Sequence, residues 1–274
     1  MGRTHRPDGR DLLKRLPELP EVETARRVLE SRLRGLRITS YLVGKPTFYR
    51  KPSAESLAGL IGSTIESVSR RGKYLQLNLS GGKEFVLHLG MSGRLVLGGD
   101  GPHTRFEFVA EGQVVKFHDA RRFGRAGCKL PPLGPEPLSS GFDASYLFSA
   151  LRKRKAPIKA MLMDQRIVAG LGNIYATEAL FEAGIRPGRA AGALSQADVQ
   201  RLCAAIKRLL ALAVELGGST LDDQAYLNPL GEAGTFQNHV AVYGRKKGRC
   251  GHALKATRRP ISGRTSLYCP SCQK

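Results

Sequence analysis

The stretch Pro17-Glu18-Leu19-Pro20-Glu21-Val22-Glu23-Thr24 decides how the rest of the chain is read. Pro20 suits a first helical turn, where its missing N–H costs nothing, and the acids Glu21 and Glu23 complement the positive end of a helix dipole. Val22, Leu29 and Leu33 recur on one face and Gly35 supplies a stop, so the pattern predicts a helix from Leu19 to Gly35 whose N-terminus points back at Pro17. Sixteen residues precede that proline. A nitrogen held in a peptide bond has its lone pair delocalised into the carbonyl and is no nucleophile, so chemistry at Pro17 requires a chain that begins there.

Beyond the helix the period changes. Arg37 to Val43, Thr64 to Ser69, Tyr74 to Leu79, Glu84 to Leu89, Arg94 to Leu97, Arg105 to Val109 and Gln113 to Phe117 read as strands, with Leu75, Leu77 and Leu79 alternating against polar neighbours. Gly81-Gly82 and Gly98-Gly99 punctuate them, which predicts an antiparallel sandwich. Residues 131–142 are proline-dense and aperiodic, the best boundary in the chain. Helical character follows: Ser195 and Asp198 form an N-terminal cap before Val199, Leu202, Ile206, Leu209 and Leu210, and Gly217-Gly218 ends that run. The expected class is α+β, with a β-sandwich behind a leading helix and then a helical domain ending in a cysteine-bearing hairpin. The units expected are an extension at 1–16, a sandwich at 17–130, a linker at 131–142, a helical domain at 143–235 and a finger at 236–274.

Lys and Arg total 44 against 23 for Asp and Glu, a net charge of +21 in 274 residues, which makes a polyanion the natural partner and nucleic acid the leading one. A generically basic protein or a membrane-surface binder is the plainer reading of charge alone. No run approaches the ~20 apolar residues of a spanning helix, and Met1 to Arg15 lacks the apolar core of a secretory signal, so an intracellular, cytoplasmic protein is expected. Cys128 and Cys203 sit singly in apolar surroundings as ordinary buried thiols. Cys250, Cys269 and Cys272 cluster near the end, where Cys269-Pro270-Ser271-Cys272 has metal-knuckle spacing.

The string that opens at Pro17 closely resembles the N-terminus of the formamidopyrimidine-DNA glycosylases, bacterial enzymes that excise oxidised purines. The likeness continues through Arg71-Gly72-Lys73-Tyr74-Leu75, His88-Leu89-Gly90-Met91-Ser92-Gly93, Asp119-Ala120-Arg121-Arg122-Phe123-Gly124, Leu133-Gly134-Pro135-Glu136-Pro137-Leu138 and Gly170-Leu171-Gly172-Asn173-Ile174-Tyr175. It implies a helix-two-turn-helix element in the helical domain and a base-excision-repair enzyme for double-stranded DNA. Such an enzyme acts as a monomer near the nucleoid, as glycosylase and as β,δ-eliminating lyase at the abasic site. By this resemblance Pro17 is the nucleophile, Glu18 the proton donor for opening the sugar, and Lys73 and Arg264 hold phosphate and assist elimination. Met91, Arg121 and Phe123 fill the void left by the everted base. His103, Lys155, Arg122 and Asn173 contact DNA, and Gly231 to Phe236 resembles the loop that closes over the base. Without the family, Glu18 is a solvated helix-start acid, and Met91 and Phe123 are core side chains.

Relatives end in a four-cysteine zinc finger, yet here the first pair is reduced to Cys250 and the spacing leaves the register open. A Zn2+ site of Cys250, Cys269 and Cys272 completed by His252 or water, and a finger held without metal, both remain. Two other functions stay open, an oxidised-pyrimidine glycosylase of the endonuclease VIII type and a non-catalytic damaged-DNA binder should residues 1–16 be retained. Leu16 stands where the family's initiator methionine belongs, and leucine codons can serve as bacterial starts.

Overall fold

The computed structural model describes residues 17–99, 101–220 and 226–274. The expected extension, residues 1–16, lies outside them. Helix α1 (Leu19–Leu33) starts as the sequence predicts, with proline in its first turn and the Glu18 amide donating to Glu21 Oε2 at 2.9 Å. It ends short of Gly35, because Arg34 has already left the helical region at ψ 129°.

All seven expected strands form, with ends shifted by a residue or two. β1 (Ile38–Val43), β5 (Gly93–Leu97), β6 (Thr104–Ala110) and β7 (Gln113–Asp119) build one antiparallel sheet in the order β1-β6-β7-β5. β2 (Ile65–Arg71), β3 (Tyr74–Leu79) and β4 (Lys83–His88) build the second, which a short β8 (Arg125–Ala126) completes in the order β2-β3-β4-β8. A five-residue helix α2 (Ala54–Ala58) lies between β1 and β2. The alternating Leu75, Leu77 and Leu79 face a core shared with Phe85, Phe106, Phe108 and Phe117.

α1 belongs to both halves of the molecule. Val22, Ala25, Leu29 and Leu33 enter the sandwich core, whereas Leu19 joins the core of the helical half. That half contains α3 (Ala144–Leu151), α4 (Ile158–Met163), α5 (Asn173–Glu182) and α6 (Gln196–Glu215), packed around Leu162, Tyr175, Leu202, Ile206 and Phe236. The Ser195–Asp198 pair forms the reciprocal cap expected at α6, with bonds of 3.1 and 3.0 Å. Residues 131–142 carry no helix or strand, but they are clamped to the sandwich: Glu136 accepts from Arg71 at 2.9 Å and from the Gly72 amide at 2.6 Å.

The last segment pairs β9 (Lys255–Ala256) with β10 (Leu267–Tyr268). It is fastened to α5 by Glu178, a buried carboxylate that accepts from the amides of Ala241, Val242 and Tyr243. Among the described residues, no helix is long and apolar enough to cross a membrane.

Candidate active site, nucleic-acid interface and metal centre

The N-termini of α1 and α5 meet, although their residues lie some 155 positions apart in sequence. Leu19 N–H donates to the Gly170 carbonyl at 3.0 Å, and Glu18 Oε1 accepts from the Ile174 amide at 2.8 Å, with a longer 3.4 Å contact from Tyr175 N–H to Oε2. The Gly170-Leu171-Gly172 turn makes this approach possible. A Cβ added to Gly170 would lie 2.7 Å from Leu19 Cβ, and one added to Gly172 would lie 2.4 Å from Glu18 Cδ and 2.6 Å from Lys73 Nζ. Glycine is therefore required where carboxylate, ammonium and helix end converge.

Burial pushes the Glu18 carboxyl up to about 6, against the opposing pull of Lys73 and the α5 amides. The same junction lowers Lys73, first through desolvation and also through the positive charge of Arg264, with Glu18 and Glu21 acting in the other direction. Lys73 stands between two strands. It follows Gly72 (φ +58°) in the tight turn between β2 and β3, and the Glu136 bond to the Gly72 amide holds that turn. Arg264 follows a two-residue hairpin turn, Ser262-Gly263, with φ of +50° and +72° and reciprocal bonds between Ile261 and Arg264. Pro17 stands half-buried beside Glu18 at the same helix start.

Two residues at this junction escaped the sequence reading. Glu21, read from the sequence only as a first-turn acid, is a buried cross-link whose Oε1 accepts from Ser219 N–H and Tyr175 OH, each at 2.7 Å, while Oε2 takes the Glu18 amide. Lys159, which no motif marks, is fully buried and donates Nζ–H to Ser266 Oγ at 2.8 Å. Burial lowers its ammonium to about 7, with Glu18 opposing and Arg264 reinforcing the shift. Asn173 opens α5 and donates to Tyr243 OH at 3.4 Å, while its buried Oδ1 has no partner among the described residues.

The second cluster stands at the sandwich edge. Met91 lies half-buried in the turn after Gly90, and Arg121 and Phe123 project from the β7–β8 turn, with the Arg121 guanidinium 5.2 Å from the Phe123 ring centre. Asp119, fully buried, joins the two turns: it accepts from Ser92 OH at 2.5 Å, Arg121 N–H at 3.1 Å and Gly124 N–H at 2.6 Å. His88 Nδ1 accepts from the Gly90 amide at 3.1 Å, and burial holds that ring neutral by pushing it down to about 3. His103 is exposed at φ +72°, with Nδ1 3.3 Å from Arg105 Nη2, and Lys155 stands in solvent on the α3–α4 loop. Arg122 lies over the Tyr49 ring at 4.6 Å and donates to the Thr47 carbonyl. In the Gly231–Phe236 stretch the amides of Gly234, Thr235 and Phe236 are bonded to Thr220, Leu216 and Gly218, and Phe236 is buried, so these amides are already satisfied within the protein. Residues 221–225 lie outside the described residues.

At the chain end Cys250, His252, Cys269 and Cys272 offer ligand atoms that all lie within 4.8 Å of one another. Cys250 and Cys269 sulfurs are 3.7 Å apart, and His252 Nδ1 is 3.7 Å from Cys269 Sγ and 3.5 Å from Cys272 Sγ. A tetrahedral Zn2+ with ordinary bond lengths would place sulfurs about 3.8 Å apart and sulfur and nitrogen about 3.6 Å apart. The donor set fits such an ion, and the turn at Gly248 to Gly251 relieves the cramped Cys-x-His spacing by bonding Gly248 N–H to the His252 carbonyl at 3.0 Å.

A family model described as formamidopyrimidine-DNA glycosylase N-terminal domain matches residues 16–126, and one described as formamidopyrimidine-DNA glycosylase H2TH domain matches 133–225. The chain is 45% identical over 271 residues to the formamidopyrimidine-DNA glycosylase of Thermus thermophilus, covering 94% of this chain and 98% of that one. It is 42% identical to that of Thioalkalivibrio sulfidiphilus, covering 94% and 100%. The crystal structure of MutM (Fpg) from Thermus thermophilus superposes with a TM-score of 0.85 at 44% identity, over 94% of this chain and 98% of that one. A Lactococcus lactis Fpg bound to abasic-site DNA gives 0.83 at 33% identity, over 94% and 99%. On sequence and on fold alike, the chain belongs to the formamidopyrimidine-DNA glycosylase family.

Proposed function

We propose that the protein is a base-excision-repair DNA glycosylase and abasic-site lyase that removes oxidised purines from duplex DNA, with Pro17 as its nucleophile. The observation that carries this reading is the junction at which Glu18, Lys73 and the α5 N-terminus converge beside Pro17. Relatives named for formamidopyrimidine, and a Lactococcus lactis Fpg variant solved with Fapy-dG DNA, favour the purine over the pyrimidine reading.

A free α-amino group has a pKa of ~8 against ~10.4 for lysine, so a terminal Pro17 is a usable nucleophile near neutral pH. Its nitrogen attacks C1′ while Glu18, neutral below about 6, gives its proton to the ring oxygen and the bond from C1′ to that oxygen opens. The nitrogen then sheds its proton to the damaged base, and its lone pair forms an iminium as the base departs. The iminium draws off the electrons released when a proton leaves C2′, and the 3′ phosphate departs; a second elimination releases the 5′ phosphate. Lys73 and Arg264 face the leaving phosphates as cations. Lys159, fixed against Ser266, adds charge from beneath.

The base must leave the stack first. Met91 and Phe123 would hold the neighbouring pairs apart while Arg121 addresses the orphaned cytosine. His103, Arg122, Lys155 and Asn173 supply further DNA contacts, the last at a helix N-terminus suited to phosphate. A Zn2+ held by Cys250, His252, Cys269 and Cys272 would brace the hairpin that carries Arg264. The protein works as a monomer in the bacterial cytoplasm, at the nucleoid.

A non-catalytic DNA-binding role is the alternative if the peptide bond before Pro17 persists. Borohydride reduction with an 8-oxoguanine duplex separates the two. Protein that begins at Pro17 should be trapped covalently, and protein that binds the lesion without ever trapping would reject the catalytic reading.

A further inference from the structure

Two exposed aromatic rings touch on this surface, and only one has a function so far. Tyr49 is 66% exposed and Phe123 46%, and their centres are 5.7 Å apart. Exposed apolar side chains scattered singly need no explanation, but a pair of rings topped by two guanidiniums marks a contact surface. Arg121 lies over Phe123 and Arg122 over Tyr49, so each ring carries its own guanidinium and the two rings meet at a tilt of 43°.

Tyr49 is held in this place. Its amide donates to the Arg122 carbonyl at 3.1 Å, and Arg122 Nε donates back to the Thr47 carbonyl at 2.6 Å. Thr47 is itself anchored through its hydroxyl to the Arg105 carbonyl at 3.0 Å. Phe48 turns inward, fully buried against Phe117 with ring centres 4.7 Å apart, while the chain bends at Tyr49 and leaves its ring exposed. Arg122 keeps a left-handed φ of +62° to make these bonds, a conformation that costs a non-glycine residue energy and must be held by its surroundings. Arg50 and Lys51, exposed just beyond, put positive charge where a phosphate backbone would run.

We propose that Tyr49 is a second aromatic contact with damaged DNA, stacking on the duplex beside the Phe123 wedge and extending it by one ring. The proposal rests on the reading of Phe123 as that wedge. Stacking uses the ring face and tolerates any base, so Tyr49 supports the opened duplex without choosing the lesion. Its preset position means that little ordering accompanies binding.

The chain contains no tryptophan, so Tyr49→Trp in the full-length protein creates a single fluorescent reporter at this position. Saturation with a duplex carrying a tetrahydrofuran abasic analogue opposite dC should quench its emission at least about twofold, with complex formation followed by the anisotropy of labelled DNA. Tyr49→Phe should bind within about twofold of the parent, and Tyr49→Ala about tenfold more weakly. Emission unchanged in a complex that demonstrably forms, or parental affinity in Tyr49→Ala, overturns the proposal. Phe123→Ala distinguishes the two levels of inference. If it weakens binding while Tyr49→Ala does not, Tyr49 alone is rejected; if neither weakens it, the wedge reading fails as well. Unchanged thermal melting of each variant ensures that affinity is being compared between folded proteins.

Discussion

The junction at Pro17 and the tips at Met91, Arg121 and Phe123 are built on opposite principles. At the junction, charge is buried: Glu18, Glu21 and Lys159 are almost wholly removed from solvent, and their ionisation is displaced by that removal. At the tips, charge and aromatic surface are left in water, and what is buried is the acceptor, Asp119, that holds the turns. Chemistry on a sugar needs groups whose proton affinity has been moved, which desolvation supplies. Entry into a duplex needs side chains that meet DNA before anything else does, on backbone too well bonded to yield. The two regions should therefore fail differently when altered.

The largest effect belongs to Glu18→Gln, which removes the proton donor and leaves the shape. Base excision in single turnover should fall by roughly a thousandfold. Strand scission at a preformed abasic site should fall much less, and an equal loss in both would remove the distinction between the steps. The same variant tests burial. Because the folded pKa of Glu18 lies above its ordinary value of 4.5, its contribution to stability is fully present below pH 4.5 and is lost as pH rises through about 6. That loss amounts to about 2 kcal/mol. Urea titrations at pH 4 and pH 7.5 should show the parent losing this much stability relative to Glu18→Gln.

Gly172→Ala would force a methyl into the space shared by Glu18 and Lys73. Displacement on the order of an ångström at the reacting groups should reduce excision by about a hundredfold, with duplex affinity nearly retained. A variant that binds and cuts normally would show that the junction is looser than its distances imply.

Metal removal acts on neither region directly. Chelation, or His252→Ala, should release one zinc per chain by metal analysis and weaken duplex binding by about tenfold through the hairpin bearing Arg264. A chain that holds no metal as isolated would refute the four-ligand site.

Asp119→Asn should have the smallest effect and the opposite kinetic signature. Replacing a charged acceptor of three donors should cost about 1–3 kcal/mol in holding the turns. The change should appear as raised KM and weakened discrimination between opposing cytosine and adenine, with scission of single-stranded abasic DNA unchanged.

Much of this was legible in the sequence because it depends on local rules. The α1 start follows from Pro20 and its acids, the α6 cap from Ser195 and Asp198, and β3 from the alternation of Leu75, Leu77 and Leu79. What escaped depends on distance in three dimensions. Lys159 meets Ser266 across 107 residues, a partnership that nothing near it in the sequence marks. Lys73 lies just before β3, and nothing beside it in the sequence shows that the turn carries it to Glu18. His252 completes the sulfur cluster only because the chain reverses between Gly248 and Gly251, so spacing alone left the register open. Tyr49 carried no motif at all, and it gained meaning from the ring beside it.

The central claim concerns one nitrogen. Protein beginning at Pro17 should be reacted with an 8-oxoguanine duplex, reduced with borohydride and digested, and the adduct located by tandem mass spectrometry. A sugar remnant is expected on the Pro17 nitrogen, and no adduct when the chain retains residues 1–16. An adduct on Lys73 or Lys159, or trapping by the extended chain, would contradict it.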